Sequence, residues 1–384
     1  MSRRQSLQAL TAFVAGSPLL NSQDVVRDHT RVPGLKELQN ALEFEEVAFS
    51  KLARTVYNYR AYGEEGEFTL RRNRQAFDWV ELIPRRINPG VVDASIELLG
   101  TKMAFPILVS PTAAHGEMHP DGEKETHKGA AAAAGTPMIV SNNSSFPFDK
   151  VAAAAESPTW VQLYPKQSIE ANRQYLESAQ AAGAKAVVVT IDQQASVYER
   201  AQHDRNLVPG GGRGGTRGAR PQAGNPYRVF DGRLWYEWKF FDQIRPMVKV
   251  PMLAKGILTA ADAKLCIEHG VDAIYVSNHG GRSMDYTPAT LEVLPEIVDA
   301  VAGKVPVIFD SGIRRGTDIL KALALGASAV CLGRAPLWGL GSFGAAGVQR
   351  VLEILQAELV DAMRVTGRTN LASIDRRLVR IDFP

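Results

Sequence analysis

VDAIYVSNHGG, residues 271–281, carries an unbroken apolar run from Ala273 to Val276 and then presents Ser277, Asn278, His279 and two glycines together. A short apolar run that does not alternate with polar residues reads as a strand buried on both faces, the habit of parallel sheets. Seven other stretches share the build: FPILVSP (105–111), PMIVSNN (137–143), TWVQLYP (159–165), AKAVVVTID (184–192), VPMLAKG (250–256), VPVIFDSG (305–312) and ASAVCLGR (327–334). Helical patterns such as KETHKGAAAAAG, TAADAKLCIEHG and RGTDILKALALG follow them, each closed by glycine. Eight strand–helix units close most economically as an α/β fold of the (β/α)8 TIM barrel type. A doubly wound open sheet is the alternative, but no G-x-G-x-x-G follows the first strand.

Outside the eight units, LKELQNALEFEEVAFSKLARTVYNYRAYG and an irregular segment up to residue 100 predict a helical cap on the barrel. Between the fourth run and its helix, residues 193–232 include GGGRGGTRGARPQAGNP, which reads as a long lid-like loop. Residues 35–384 then form one domain, preceded by a 1–34 extension. Arg3-Arg4 before a moderately apolar stretch outlines a twin-arginine export signal, with an amphipathic helix as the plainer alternative. The two cysteines, Cys266 and Cys331, exclude a disulfide framework and fit a reducing, cytoplasmic setting. Cys266 and His269 have no second pair to complete a zinc site. A net charge of +3 gives no case for nucleic acid, and no apolar run is long enough to span a membrane.

Barrel active sites lie at the carboxyl ends of the strands. Those ends carry Pro111-Thr112-Ala113, Ser141, Gln162 with Tyr164, Thr190 with Asp192, Lys255, Ser277 with His279 and Arg282, Asp310 with Gly312 and Arg314, and Gly333-Arg334. A lone polar residue at a strand end is an ordinary cap. Eight such ends converging on one mostly basic ring predict a binding and catalytic site. DSGIRRG and LGR follow the last two runs, where barrels bind phosphate through glycine backbone N–H groups and arginine forks.

SNHGGRSMD with YTPAT, together with VYNYRAYG, PTAAHGEMHPDGE, VQLYP, VTID, LAKGILTAADA, FDSGIRRGTD and CLGRAPLWG, resembles the FMN-dependent L-2-hydroxy acid oxidase and dehydrogenase family. That family includes glycolate oxidase, lactate oxidase, lactate monooxygenase and mandelate dehydrogenase. The resemblance runs from about residue 35 to 375 and implies an FMN enzyme that oxidises a small L-2-hydroxy acid, assembled as a homotetramer. It makes His279 the base, oriented by Asp192. Arg282 and Tyr59 would hold the substrate carboxylate, and Tyr164 the reacting hydroxyl. Lys255 would lie by the flavin N1 and C2 oxygen, with the Ala113 backbone facing N5. Pro111, Thr112, Ser141, Gln162, Thr190 and Ser277 would line the ring, and Asp310, Gly312, Arg314, Gly333 and Arg334 the ribityl and phosphate. The glycines beside His279 would leave room for flavin and substrate.

Two departures stand out. Asn143 falls where glycolate oxidase has tryptophan, implying a roomier, more polar pocket. The family's second carboxylate-binding arginine, counted from Thr190, falls on Glu199, and one extra loop residue would bring Arg200 to the site. PTAAHG resembles lactate oxidases, making L-lactate the expected substrate. An FMN barrel isomerase of the isopentenyl diphosphate isomerase type, or a non-catalytic flavin-binding protein, would share the cofactor without needing the His279, Arg282 and Tyr59 set.

Overall fold

A computed structural model describes residues 31–85, 90–166, 168–192 and 237–384. The possible export signal and the 193–232 loop, with Arg200 and Arg205, lie outside the described residues. In chain order the strands are β1 (Val80–Leu82), β2 (Ile96–Leu98), β3 (Thr101–Met103), β4 (Ile107–Val109), β5 (Met138–Val140), β6 (Thr159–Leu163), β7 (Val187–Thr190), β8 (Met252–Ile257), β9 (Ala273–Val276), β10 (Val307–Phe309), β11 (Ala329–Leu332) and β12 (Val379–Ile381). Strands β4 to β11 form the closed barrel, all neighbours parallel, with β11 returning to pair β4. Each falls on one of the eight apolar runs, so the barrel is as expected. The open sheet is excluded by that closing pair.

Two apolar layers result from strand alternation. Outward residues such as Val109, Val140, Val161, Val189 and Ile274 meet the surrounding helices. Inward residues Leu108, Ile139, Trp160, Val188, Leu253 and Ile308 fill the barrel. The segment before residue 100 is less irregular than expected. Beyond helices Glu43–Lys51, Arg54–Ala61 and Phe68–Gln75, it supplies β1, which pairs β12, and β2, which forms a hairpin with β3. Leu98 and Met103 of that hairpin join the barrel-filling cluster, and the Trp160 indole N–H donates to Thr101 Oγ1 at 3.2 Å. The hairpin therefore plugs the barrel at the end away from the polar ring.

Helix Phe68–Gln75 is fastened to the opposite mouth. Asp285 accepts the Phe68 and Thr69 backbone N–H groups at 3.2 and 2.7 Å, placing a carboxylate on the helix's positive end. No described helix is long and apolar enough to cross a membrane.

Candidate active site

The polar ring follows from the same alternation. Two residues beyond inward Leu108, Ile139, Trp160, Val188, Leu253 and Ile308 stand Ser110, Ser141, Gln162, Thr190, Lys255 and Asp310, still on the inner face and all buried. Next to this ring, His279 holds a left-handed backbone (φ 60°), an uncommon state for a residue with a Cβ. Its N–H donates to Ser277 Oγ at 3.1 Å.

The His279 ring is held from two sides. Nδ1 lies 3.0 Å from Asp192 Oδ1, and Nε2 lies 3.4 Å from the Tyr164 hydroxyl. Burial alone would raise the Asp192 carboxyl, but Lys255 and His279 outweigh it and hold the group below the usual carboxylate range. Asp192 is thus an acceptor, which assigns a proton to Nδ1; in the neutral imidazole the lone pair is then on Nε2, toward Tyr164. Lys255, 3% exposed, donates to the same Asp192 oxygen at 3.5 Å. A Cβ at Gly256 (φ 110°) would sit 2.6 Å from Asp192 Cβ, so the glycine allows this approach.

A family model described as FMN-dependent dehydrogenase matches residues 48–381. The chain belongs to that family. A peroxisomal (S)-2-hydroxyacid oxidase of Arabidopsis thaliana is 37% identical, the alignment covering 91% of this chain and 98% of the relative. A 2-hydroxyacid oxidase of Mus musculus is 39% identical over 88% and 95%. The crystal structure of a mandelate oxidase superposes with a TM-score of 0.80 at 32% identity, covering 90% of this chain and 98% of that one. The protein is an FMN-dependent oxidoreductase acting on CH–OH, of the 2-hydroxy acid oxidase type.

Buried polar atoms of this FMN-dependent dehydrogenase fit the cofactor. Gln162 Oε1 accepts from Ser141 Oγ at 3.3 Å and Asn142 N–H at 3.0 Å, but Gln162 Nε2, Thr190 Oγ1 and Asp192 Oδ2 have no partner among the described residues. An unsatisfied buried polar group costs about 1–3 kcal/mol, so three on adjacent strands mark a ligand edge with both donors and acceptors, as a flavin ring has. Arg314 and Arg334 bring cationic charge to the carboxyl ends of β10 and β11. Burial and then Arg282 and Arg314 push Arg334 down to about 9, which a bound anion would relieve.

Two family roles look different in the structure. Arg334 donates to the carbonyls of Arg60 and Gly280 at 2.8 Å and of Tyr62 at 3.3 Å, so it also ties the Arg54–Ala61 helix to the barrel. The glycines beside His279 also have protein neighbours. A Cβ at Gly280 would lie 2.7 Å from Arg334 Nη1, and one at Gly281 2.7 Å from the Leu70 backbone. Gly312 (φ 84°) similarly abuts the Asn73 carbonyl. These glycines admit protein neighbours.

Tyr59 is half-buried, its ring between Arg60 at 4.6 Å and Arg282 at 4.8 Å. Asn143 bonds the turn beyond Ala113, its carbonyl accepting Ala114 N–H at 3.1 Å. His115 escaped notice in the sequence although PTAAHG did not. Fully buried, it bonds Thr112 at 2.6 Å and Thr126 at 2.9 Å, and burial pushes its pKa down to about 4. Far from the site, His269 pairs with Asp242 at 2.9 Å.

Proposed function

We propose that the protein oxidises a small L-2-hydroxy acid, with L-lactate as its substrate, to the corresponding 2-oxo acid. The Asp192–His279–Tyr164 arrangement carries this reading, because it places a base with an available lone pair beside a hydroxyl donor. Nε2 of His279 accepts a proton from the substrate's CH–OH group, and Asp192 stabilises the imidazolium so formed. Arg282 and Tyr59 grip the carboxylate, while Tyr164 bonds the reacting oxygen. FMN, when bound, supplies the two-electron acceptor. Pro111, Thr112, Ala113, Ser141, Gln162, Thr190, Ser277 and Lys255 would hold its ring. Asp310, Gly312, Arg314, Gly333 and Arg334 would hold its ribityl and phosphate. Lys255 would set fixed positive charge where the ring gains negative charge. A homotetramer is the proposed assembly.

An isomerase or a passive flavin carrier would leave the base, its orienting carboxylate and the carboxylate fork without a purpose. The choice of L-lactate rests on PTAAHG and on Asn143 beside it, a small polar residue where glycolate oxidase has tryptophan. Anaerobic mixing with L-lactate, D-lactate, glycolate and L-mandelate tests the reading. L-Lactate should bleach the flavin fastest. Faster bleaching by glycolate or mandelate would replace lactate as substrate, and no bleaching by any L-acid would sink the oxidase reading.

The second carboxylate fork is proposed to be Arg200. A glutamate at the site, as the direct count gives, would repel the substrate. Arg200→Ala should raise KM by about an order of magnitude, the size of one charge-assisted hydrogen bond. Arg205→Ala should do much less. An unaltered kcat/KM in Arg200→Ala places the second fork elsewhere.

A further inference from the structure

The inner layer of a barrel is ordinarily filled by branched apolar side chains. Here Tyr275 of β9 enters it with 0% exposure. Its hydroxyl donates to Asp310 Oδ2 at 2.8 Å and lies 2.9 Å from Ser110 Oγ, which is itself 3.2 Å from the same carboxylate oxygen. Three oxygens from β9, the end of β4 and the end of β10 thus close a buried triangle. Burial and the Asp310 charge keep the phenol protonated far above neutral pH, so it is a donor. On its other side, Lys255 Nζ stands 5.6 Å from the Tyr275 ring centroid. Nothing in the catalytic set accounts for this residue, and an aliphatic side chain would fill the volume without needing partners.

We infer that Tyr275 is a positioning residue beneath the cofactor, its hydroxyl fixing Asp310 for the ribityl chain and its ring face supporting Lys255. The inference rests on the assignment of Asp310 and Lys255 to FMN proposed above. Asp310 Oδ2 is taken by Tyr275 and Ser110, while among the described residues Oδ1 accepts only from Ser311 Oγ at 2.9 Å. A carboxylate oxygen has two acceptor sites, so Oδ1 keeps one for a ligand hydroxyl, and the carboxylate cannot turn away from it while Oδ2 is pinned. Ser311 Oγ in turn accepts Gly280 N–H at 3.1 Å, which joins this anchor to the segment bearing His279. The ring contributes separately, since a cation over an aromatic face is favoured when water is excluded.

The two functions separate by substitution. Tyr275→Phe removes the hydroxyl and keeps the ring, and Tyr275→Leu removes both. FMN titration of the apoprotein, followed by fluorescence, and sulfite titration of the holoprotein are the readouts. Tyr275→Phe should weaken FMN about tenfold, the scale of one hydrogen bond to a charged group, with sulfite affinity unchanged. Tyr275→Leu should weaken sulfite binding as well, because the Lys255 cation loses its support. If the Tyr275 variants do not fold, Ser110→Ala removes the other hydroxyl on Asp310 Oδ2 and should weaken FMN about threefold. A parent-like FMN Kd in whichever variant folds overturns the inference. Asp310→Ala distinguishes the underlying assignment: parent-like FMN binding there means Asp310 does not hold the cofactor. Weakened binding there with a parent-like Tyr275→Phe condemns only the role of Tyr275.

Discussion

His279→Ala is expected to slow anaerobic flavin reduction by about 10²–10⁴-fold, the usual contribution of a positioned general base, while FMN stays bound. The size follows from how completely the ring is prepared. Asp192 Oδ1 at 3.0 Å fixes the tautomer, and the Tyr164 hydroxyl at 3.4 Å from Nε2 marks where the substrate oxygen can sit. A left-handed backbone at His279 is a cost maintained for that placement, held by the Ser277 contact and the glycines behind it. Alanine removes the base and leaves the rest, because Asp192 keeps Lys255 as its counter-ion. FMN affinity should therefore change little. Reduction by L-lactate within a few-fold of the parent would make His279 a structural residue and move the proton to another group.

Much of this was visible in the chain because parallel strands are buried on both faces and so stand out as apolar runs. The polar ring was visible for a related reason: alternation carries the inner face two residues past Ile139, Trp160, Val188, Leu253 and Ile308 to Ser141, Gln162, Thr190, Lys255 and Asp310. What escaped depends on neighbours distant in sequence. Tyr275 inside VDAIYV looks like any core aromatic until Ser110 and Asp310 arrive from other strands. That Gly280 and Gly281 also face Arg334 and Leu70 is invisible in the chain. IELLGTKM is too short to announce itself as a barrel plug. His115 is not marked in the sequence because burial, not sequence context, sets its role.

Arg282→Met is expected to lower kcat/KM by about 10²–10⁴-fold, and the geometry of the guanidinium says why. Arg282 Nη1 donates to the carbonyl of Tyr59, with the Tyr62 carbonyl 3.3 Å away. Nε and Nη2 have no partner among the described residues, so the flat side of the fork remains for a carboxylate. Two charge-assisted bonds of about 1.5–3 kcal/mol each account for the expected loss. The same Nη1 contact steadies the end of helix Arg54–Ala61, so a slower enzyme alone would not distinguish binding from support. Lactamide does: it keeps the hydroxyl and lacks the negative charge. The parent should prefer lactate over lactamide strongly, and Arg282→Met should lose most of that preference. If the variant is slow on both but keeps the parent's preference, Arg282 supports the helix and the substrate carboxylate is held by other residues.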